Sequence, residues 1–285
     1  MAAEVKKVGI VGAGTMGNGI AQVIAMSGVD VVMTDINEAA VKRGVDAVAK
    51  SLDRLLAKQK ISDADKQAAL GRIKTATSLD AIAGCEVVVE AATENVDLKL
   101  KIFADLDRVA NPQAILASNT SSISLTRIAA ATKRPAQVIG MHFFNPVPMM
   151  QLVELIRALQ TSDATFETVK VLTQKIGKAP VEVRNSPGFA ANRILVPMLN
   201  EAVFCLYENV ASAEDIDTVM KLGMAHPMGP LALADLIGLD TCLSILEVLY
   251  DGFKDPKYRP CPLWREMVDA GQLGRKSGRG FFAYS

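Results

Sequence analysis

Val8-Gly9-Ile10-Val11 runs straight into Gly12-Ala13-Gly14-Thr15-Met16-Gly17, and a second apolar run ends at Asp35. The order is strand, G-x-G-x-x-G turn, helix, strand, acid, and few folds accept it. Gly12 allows a tight turn, Gly14 lets the backbone approach a pyrophosphate, and Gly17 lets the helix pack close to the strand. A helix opening at Thr15 and Met16 offers its first N–H groups to those phosphates. Asp35 follows Gly17 by 18 residues, close to the spacing of a carboxylate that accepts from a ribose 2′-hydroxyl. The same charge repels a 2′-phosphate. The series points to a dinucleotide-binding unit that prefers NAD(H) to NADP(H). A glycine turn alone is common between strands and helices, so the weight rests on the whole series.

Strand-like runs at 7–11, 30–34, 86–90, 114–118, 138–142, 151–157 and 180–184 alternate with helical stretches at 15–27, 37–59, 97–109 and 163–176. That alternation predicts an α/β fold, a Rossmann-type doubly wound, mostly parallel sheet. The pattern changes at Asn185-Ser186-Pro187-Gly188, where Ser186 is expected to cap a helix with Pro187 in its first turn. Beyond it only helical stretches follow, near 188–208, 212–222, 229–249 and 260–270. The expectation is a dinucleotide domain over 1–186 and an all-α C-terminal domain over 187–285. The apolar positions in 188–206 and 229–249 exceed what one small core needs, which suggests a subunit interface.

Residues 37–71 read as a helical hairpin inserted beside the cofactor unit. Val41, Val45, Val48, Leu52 and Leu55 form its packed face, while Lys50, Arg54 and Lys58 fall four apart on an exposed stripe. Such a stripe is either a solvated face or a handle for phosphates.

Lys plus Arg and Asp plus Glu both total 31, so no net field attracts nucleic acid or an anionic membrane. Cys85, Cys205, Cys242 and Cys261 are widely spaced with no C-x-x-C pair, the pattern of buried thiols in a reducing compartment and not of disulfides or a metal site. The first apolar run already serves the cofactor strand, and Asp235, Asp240 and Glu247 interrupt the apolar stretch at 231–250. Neither reads as a membrane element, and the expected location is the cytoplasm.

Hydride exchange at an alcohol requires a base for the hydroxyl proton. There are two histidines, His142 and His226. His142 stands at the end of a strand-like run, where open α/β sheets bind ligands. His226, in Ala225-His226-Pro227, reads as a loop residue. Glu154, on the next apolar run, could pair with His142 if the two strands are neighbours. On position alone His142 is equally a satisfied core histidine. Ser118-Asn119-Thr120-Ser121-Ser122 follows another strand and either caps a helix or holds a substrate oxygen. Asn192 lies near the start of the second domain's first helix, facing a cleft or simply packing.

Seven segments stand in order: GAGTMGNGIA (12–21), EAATEN (90–95), ASNTSS (117–122), GMHFFNPVP (140–148), PGFAANRIL (187–195), HPMGPL (226–231) and GRKSGRGFF (274–282). With them the chain resembles, from Val8 to Tyr284, the short-chain L-3-hydroxyacyl-CoA dehydrogenase family, and within it the bacterial 3-hydroxybutyryl-CoA dehydrogenase type. The resemblance implies a Rossmann domain with a helical dimerisation domain, a homodimer, NAD as cofactor, and a role in fatty acid and butyrate metabolism. The implied reaction interconverts (S)-3-hydroxybutyryl-CoA and acetoacetyl-CoA. By the same resemblance His142 is the general base and Glu154 its carboxylate partner, while Ser121 and Asn192 hold the C3 oxygen. Gly12, Gly14, Thr15, Met16 and Gly17 then cradle the pyrophosphate, and Asp35 takes the adenine ribose. Glu94, Lys99 and Asn119 match positions near the nicotinamide half, and Ser51 and Lys58 match contacts to coenzyme A.

The chain departs from the family pattern at Gln151, often Lys, and at Ala190 and Ala191, often bulkier. Phosphogluconate-type dehydrogenases share the opening turn but rely on a lysine in the second domain's first helix, where this chain has Asn192 and Arg193. A non-catalytic NAD-binding relative would be expected to have lost part of the His–Glu–Ser–Asn set, which is complete here.

Overall fold

The computed structural model describes residues 4–284, and the chain divides into two compact units between Asn185 and Ser186. The first opens with β1 (Lys7–Val11), α1 (Thr15–Met26) and β2 (Asp30–Thr34), then α2 (Glu38–Ala57), α3 (Asp63–Arg72) and β3 (Ile73–Ala76). It continues with β4 (Val87–Glu90), α4 (Val96–Val109), β5 (Ile115–Ser118), α5 (Leu125–Ala130), β6 (Val138–Phe143), β7 (Leu152–Arg157), α6 (Asp163–Lys175) and β8 (Ala179–Arg184). The eight strands form one sheet in the order β3-β2-β1-β4-β5-β6-β7-β8. Every pairing is parallel except β6 with β7.

The central strands are mostly apolar, with polar residues toward their carboxyl ends, because helices cover both faces. Val87, Val88 and Val89 have no exposed surface. Ile20 and Ile24 of α1 and Val48 and Leu52 of α2 share one core with Val8, Ile10 and Met33. Each such side chain contributes about 1.5–3 kcal/mol on burial.

The stretch 37–71 forms the helical hairpin expected, α2 followed by α3, within the connection from β2 to β3. Its two helices are the crossover between β2 and β3, and β3 pairs in parallel with β2 at the sheet edge. Asn37 caps α2 through Ala40 N, and Ser62 with Asp65 forms a capping box on α3. Val41, Val48 and Leu52 are buried, with Val45 and Leu55 packed against the core. β3 itself has no apolar run to announce it, since Lys74 and Thr75 are exposed at the edge.

The second unit is helical: α7 (Ala191–Tyr207), α8 (Ala213–Thr218) running into a wider π-helical turn at Val219–Gly223, α9 (Pro230–Ile237), α10 (Leu239–Phe253) and α11 (Pro262–Asp269). Two expectations are corrected here. Ser186 does not cap a helix: Gly188 and Phe189 take left-handed backbone angles of +70° and +51°, and α7 starts only at Ala191. The stretch 229–249 is not one helix either, because Gly238, at φ +106°, ends α9 and turns the chain into α10.

Val196, Leu199, Val203, Leu231, Leu246 and Trp264 centre this second core. Asn200 is its polar node: Oδ1 accepts from Cys261 N and Trp264 Nε1, each at 2.9 Å, and Nδ2 donates to Arg259 O at 3.0 Å. Buried Asp235 ties down the C-terminal strap, accepting from Phe281 N and Phe282 N at 3.0 Å and from the Tyr284 hydroxyl at 2.9 Å. A Cβ at Gly280 would lie 1.9 Å from its Oδ1. The GRGFF segment is therefore glycine-rich for packing on α9.

Candidate active site

The glycine turn between β1 and α1 is built by close approach. A Cβ at Gly12, φ +100°, would stand 2.7 Å from Ala91 O, and one at Gly17 would stand 1.8 Å from Gly12 O. Gly14 differs, since a Cβ there would meet nothing within 4 Å. Its open side lies at the N-terminus of α1, where Thr15 and Met16 begin the helix. Asp35 closes the turn from β2: Oδ2 accepts from Ala13 N and Oδ1 from Ile36 N, both at 2.7 Å. A carboxylate has about four lone-pair sites, so two remain for hydroxyl groups. An open glycine, helix amides and an acid anchored to the turn fit an NAD pyrophosphate and ribose.

The carboxyl ends of β4, β5 and β6 are joined by side chains. Glu90, the last residue of β4, is wholly buried; its Oε2 accepts from Ser118 Oγ at 2.9 Å and pairs with the buried Lys99 ammonium of α4. Its Oε1 accepts from Ala92 N at 2.9 Å, drawing in the loop on which Gly12 rests. A buried charge persists only with partners of this kind. Glu94 holds the next loop, accepting from Thr120 Oγ1 at 2.7 Å and from Ser121 N at 2.9 Å. Asn119 Oδ1 accepts from Phe143 N at 2.9 Å, which fixes the residue after His142.

His142 and Glu154 stand opposite each other in the antiparallel β6–β7 pair. Directly opposed side chains share one face of the sheet, and His142 Nδ1 lies 2.8 Å from Glu154 Oε2. Both are buried, at 6 % and 2 % exposure, and Phe144 tilts against the imidazole with ring centroids 4.7 Å apart. The carboxylate selects the tautomer with its proton on Nδ1, so Nε2 is the basic nitrogen. Such a pair can take a proton at Nε2 while the carboxylate stabilises the imidazolium that forms.

A groove of about 490 Å³ lies beside the turn, bounded by α1, α2 and the loop after β6. Ser51, Arg54 and Lys58 line it from α2, and Val147, Pro148 and Met149 from the loop. The neighbouring acids are engaged elsewhere: Asp46 pairs with Lys42 at 3.0 Å and Asp53 with Lys66 at 2.6 Å. The basic stripe thus faces a concavity of ligand size. Lys50, by contrast, is not among the lining residues.

The first unit therefore brings together the glycine turn, Asp35, Glu94, Lys99, Asn119, Ser121, His142 and Glu154 along its strand ends, with Ser51 and Lys58 on the groove. Lys99 is buried against Glu90 and Ser118, and Glu94 spends its carboxylate on the Ser121 loop. Asn192 belongs to the second unit, in the first turn of α7. Sequence reasoning passed over Glu90, although a carboxylate ending the fully apolar run Val87-Val88-Val89 signals a buried partner. It placed Arg54 in the stripe without assigning it to a site.

Comparison with known proteins decides the family. Residues 7–186 match the 3-hydroxyacyl-CoA dehydrogenase NAD binding domain and residues 188–284 the C-terminal domain of the same enzymes. The chain belongs to the 3-hydroxyacyl-CoA dehydrogenase family. It is an NAD-dependent dehydrogenase with a Rossmann-type cofactor unit. It is 54% identical over 284 residues to a 3-hydroxybutyryl-CoA dehydrogenase of Bradyrhizobium diazoefficiens, covering 100% of this chain and 97% of that protein. A probable 3-hydroxybutyryl-CoA dehydrogenase of Deinococcus radiodurans is 56% identical over 278 residues, covering 98% and 100%. The crystal structure of (S)-3-hydroxybutyryl-CoA dehydrogenase from Ralstonia eutropha superposes with a TM-score of 0.97 at 60% identity, covering 99% of this chain and 100% of that one. No described helix of this family member is long and apolar enough to cross a membrane.

Proposed function

We propose that this dehydrogenase interconverts (S)-3-hydroxybutyryl-CoA and acetoacetyl-CoA, with His142 as general base and acid and Glu154 as its partner. The observation that carries the proposal is the buried 2.8 Å contact between His142 Nδ1 and Glu154 Oε2 at the strand ends. The names of the relatives, at 54% and 56% identity, support the substrate. Bound NAD⁺ supplies the acceptor for the C3 hydride.

In the oxidative direction Nε2 of His142 takes the 3-hydroxyl proton as C3 becomes a carbonyl. In the reductive direction the imidazolium returns that proton to the C3 oxygen. Glu154 keeps the ring in the required tautomer and offsets its charge. Ser121, whose N–H is fixed by Glu94, holds the C3 oxygen. Glu94, Lys99 and Asn119 shape the pocket for the nicotinamide half, and Asp35 receives the adenine ribose. Ser51 and Lys58 hold coenzyme A in the groove, with Arg54 beside them.

We assign the C-terminal unit to homodimer formation and the enzyme to the cytoplasm. Leu222, Ile194, Val210 and Met224 leave apolar side chains exposed on that unit, candidates for burial against a second copy.

The test is the initial rate of NADH absorbance loss with acetoacetyl-CoA, run beside free acetoacetate and beside NADPH. Turnover confined to the thioester and faster with NADH is expected. Equal turnover of free acetoacetate would remove the coenzyme A assignment. Absence of turnover with NADH still bound would remove the catalytic one.

A further inference from the structure

The groove has a wall that nothing so far holds in place. Asn145-Pro146-Val147-Pro148-Met149-Met150 links β6 to β7 and contributes five residues to the lining. Two prolines in six residues deprive it of N–H donors. Met149 N and Met150 N both donate to Pro146 O at 3.0 Å, so the loop's own amides converge on one carbonyl. Its other inward carbonyls need a donor from outside.

Lys178 is that donor. Its ammonium donates to Val147 O and Met150 O, each at 2.7 Å, and the residue is 8 % exposed. Burial lowers its pKa below the ordinary lysine value. The side chain is aimed by the end of α6. Gly177, at φ +73°, donates to Gln174 O, and Lys178 N donates to Thr173 O at 3.1 Å, a Schellman arrangement that turns the chain inward. On its far side the loop rests on α1: a Cβ at Gly19 would stand 2.9 Å from Val147 Cβ. The loop is thus gripped between the helix that carries the dinucleotide turn and a buried cation. It starts three residues beyond His142.

We propose that Lys178 is a positioning residue for the acyl-CoA substrate: its buried ammonium clamps the Pro146–Met150 loop and so sets the wall of the groove opposite Ser51, Arg54 and Lys58. The inference rests on the assignment of that groove to coenzyme A. Lys178 itself does not line the groove. Loss of the clamp loosens one wall, so it acts on thioester affinity and leaves the His142–Glu154 pair and the NADH turn in place.

Lys178→Met is expected to raise KM for acetoacetyl-CoA about tenfold, with KM for NADH unchanged and kcat within about threefold. Lys178→Arg, which keeps charge and donors, should recover most of the loss. Hydrogen exchange across residues 144–151 should speed up in Lys178→Met, because the turn that holds Met149 N and Met150 N on Pro146 O is no longer pinned through Val147 O and Met150 O. If Lys178→Met does not fold, Lys178→Gln carries the same comparison. Lys58→Ala serves as the control for the groove. Unchanged exchange in the loop would overturn the clamp. Faster exchange with unchanged KM, while Lys58→Ala raises KM, would overturn the positioning role alone. Unchanged KM in both variants would overturn the groove assignment and the inference with it.

Discussion

Replacing Glu154 by glutamine isolates the charge of the partner from its shape. Glutamine is isosteric, and its amide oxygen can accept the same N–H from His142 Nδ1 across 2.8 Å. With that contact the charge centres of carboxylate and imidazolium lie about 4 Å apart, where unit charges attract by about 4 kcal/mol at an effective dielectric of 20. The amide dipole retains part of this, leaving a loss of about 2–4 kcal/mol in the state where His142 carries the proton. Converted to rate, that is a fall in kcat of about 30- to 1000-fold. His142→Ala should fall by about 10²–10⁴, the range of a general base. On the proposed roles Glu154 assists the proton transfer through His142, so the double variant should be no slower than His142→Ala. The assay is NADH formation at saturating (S)-3-hydroxybutyryl-CoA, the direction in which His142 gains its proton, with NADH affinity followed by fluorescence and expected to stay unchanged. A Glu154→Gln kcat within about threefold of the parent would refute the electrostatic argument. So would a double variant slower by the product of the two single effects.

Asp35→Ser removes the acid that anchors the glycine turn through Ala13 N at 2.7 Å. The ratio of NADH to NADPH turnover should fall by about 10- to 150-fold, the loss of one charge-assisted hydrogen bond; an unchanged ratio would place selectivity elsewhere. Burial raises the Cys85 thiol to about 11 and Cys242 to about 12, and pushes Cys261 up as well. A disulfide reagent near neutral pH should therefore label at most Cys205 in the folded protein and all four thiols after denaturation, and rapid labelling of two or more would contradict it. The sign also follows for stability: these thiols favour the folded form below the unfolded value near 9, and that contribution is lost as pH climbs through 11. Leu222→Asp, at a side chain 83% exposed, should convert a dimer to a monomer in light scattering, and a variant that stays dimeric would exclude this surface from the interface.

The fold was legible where residues repeat or cluster locally. β1, α1 and β2 follow from one turn, and the strands from β4 to β8 follow from short β-branched runs between helical stretches. The reading failed where a local signal was weak or misleading. β3 is four residues at a sheet edge with no apolar run, and only its pairing with β2 shows that the helical hairpin also spans a crossover between two strands. Gly238 sits in an otherwise apolar helical pattern, and its positive φ is a tertiary outcome. Ser186 and Pro187 carry the right residue types for a helix start, yet the left-handed pair at Gly188 and Phe189 postpones it.

The site was legible as a set of residue types and less so as a network. His142 and Glu154 could be matched because they lie on consecutive strands, so a single antiparallel connection sets their register. The contacts that hold the rest in place cross between distant strands: Glu90 to Ser118, Glu94 to Thr120 and Ser121, Asn119 to Phe143. None has a spacing to read, because the order in which strands are laid side by side decides who meets whom. This explains why Glu94 and Lys99 could be named as neighbours of a cofactor from resemblance, while the bonds they make could not. A carboxylate that fixes Ser121 N also fixes the distance from that serine to His142 on the adjacent strand. The chemistry of the site therefore depends on side chains whose sequence positions, taken singly, look like ordinary loop and helix residues.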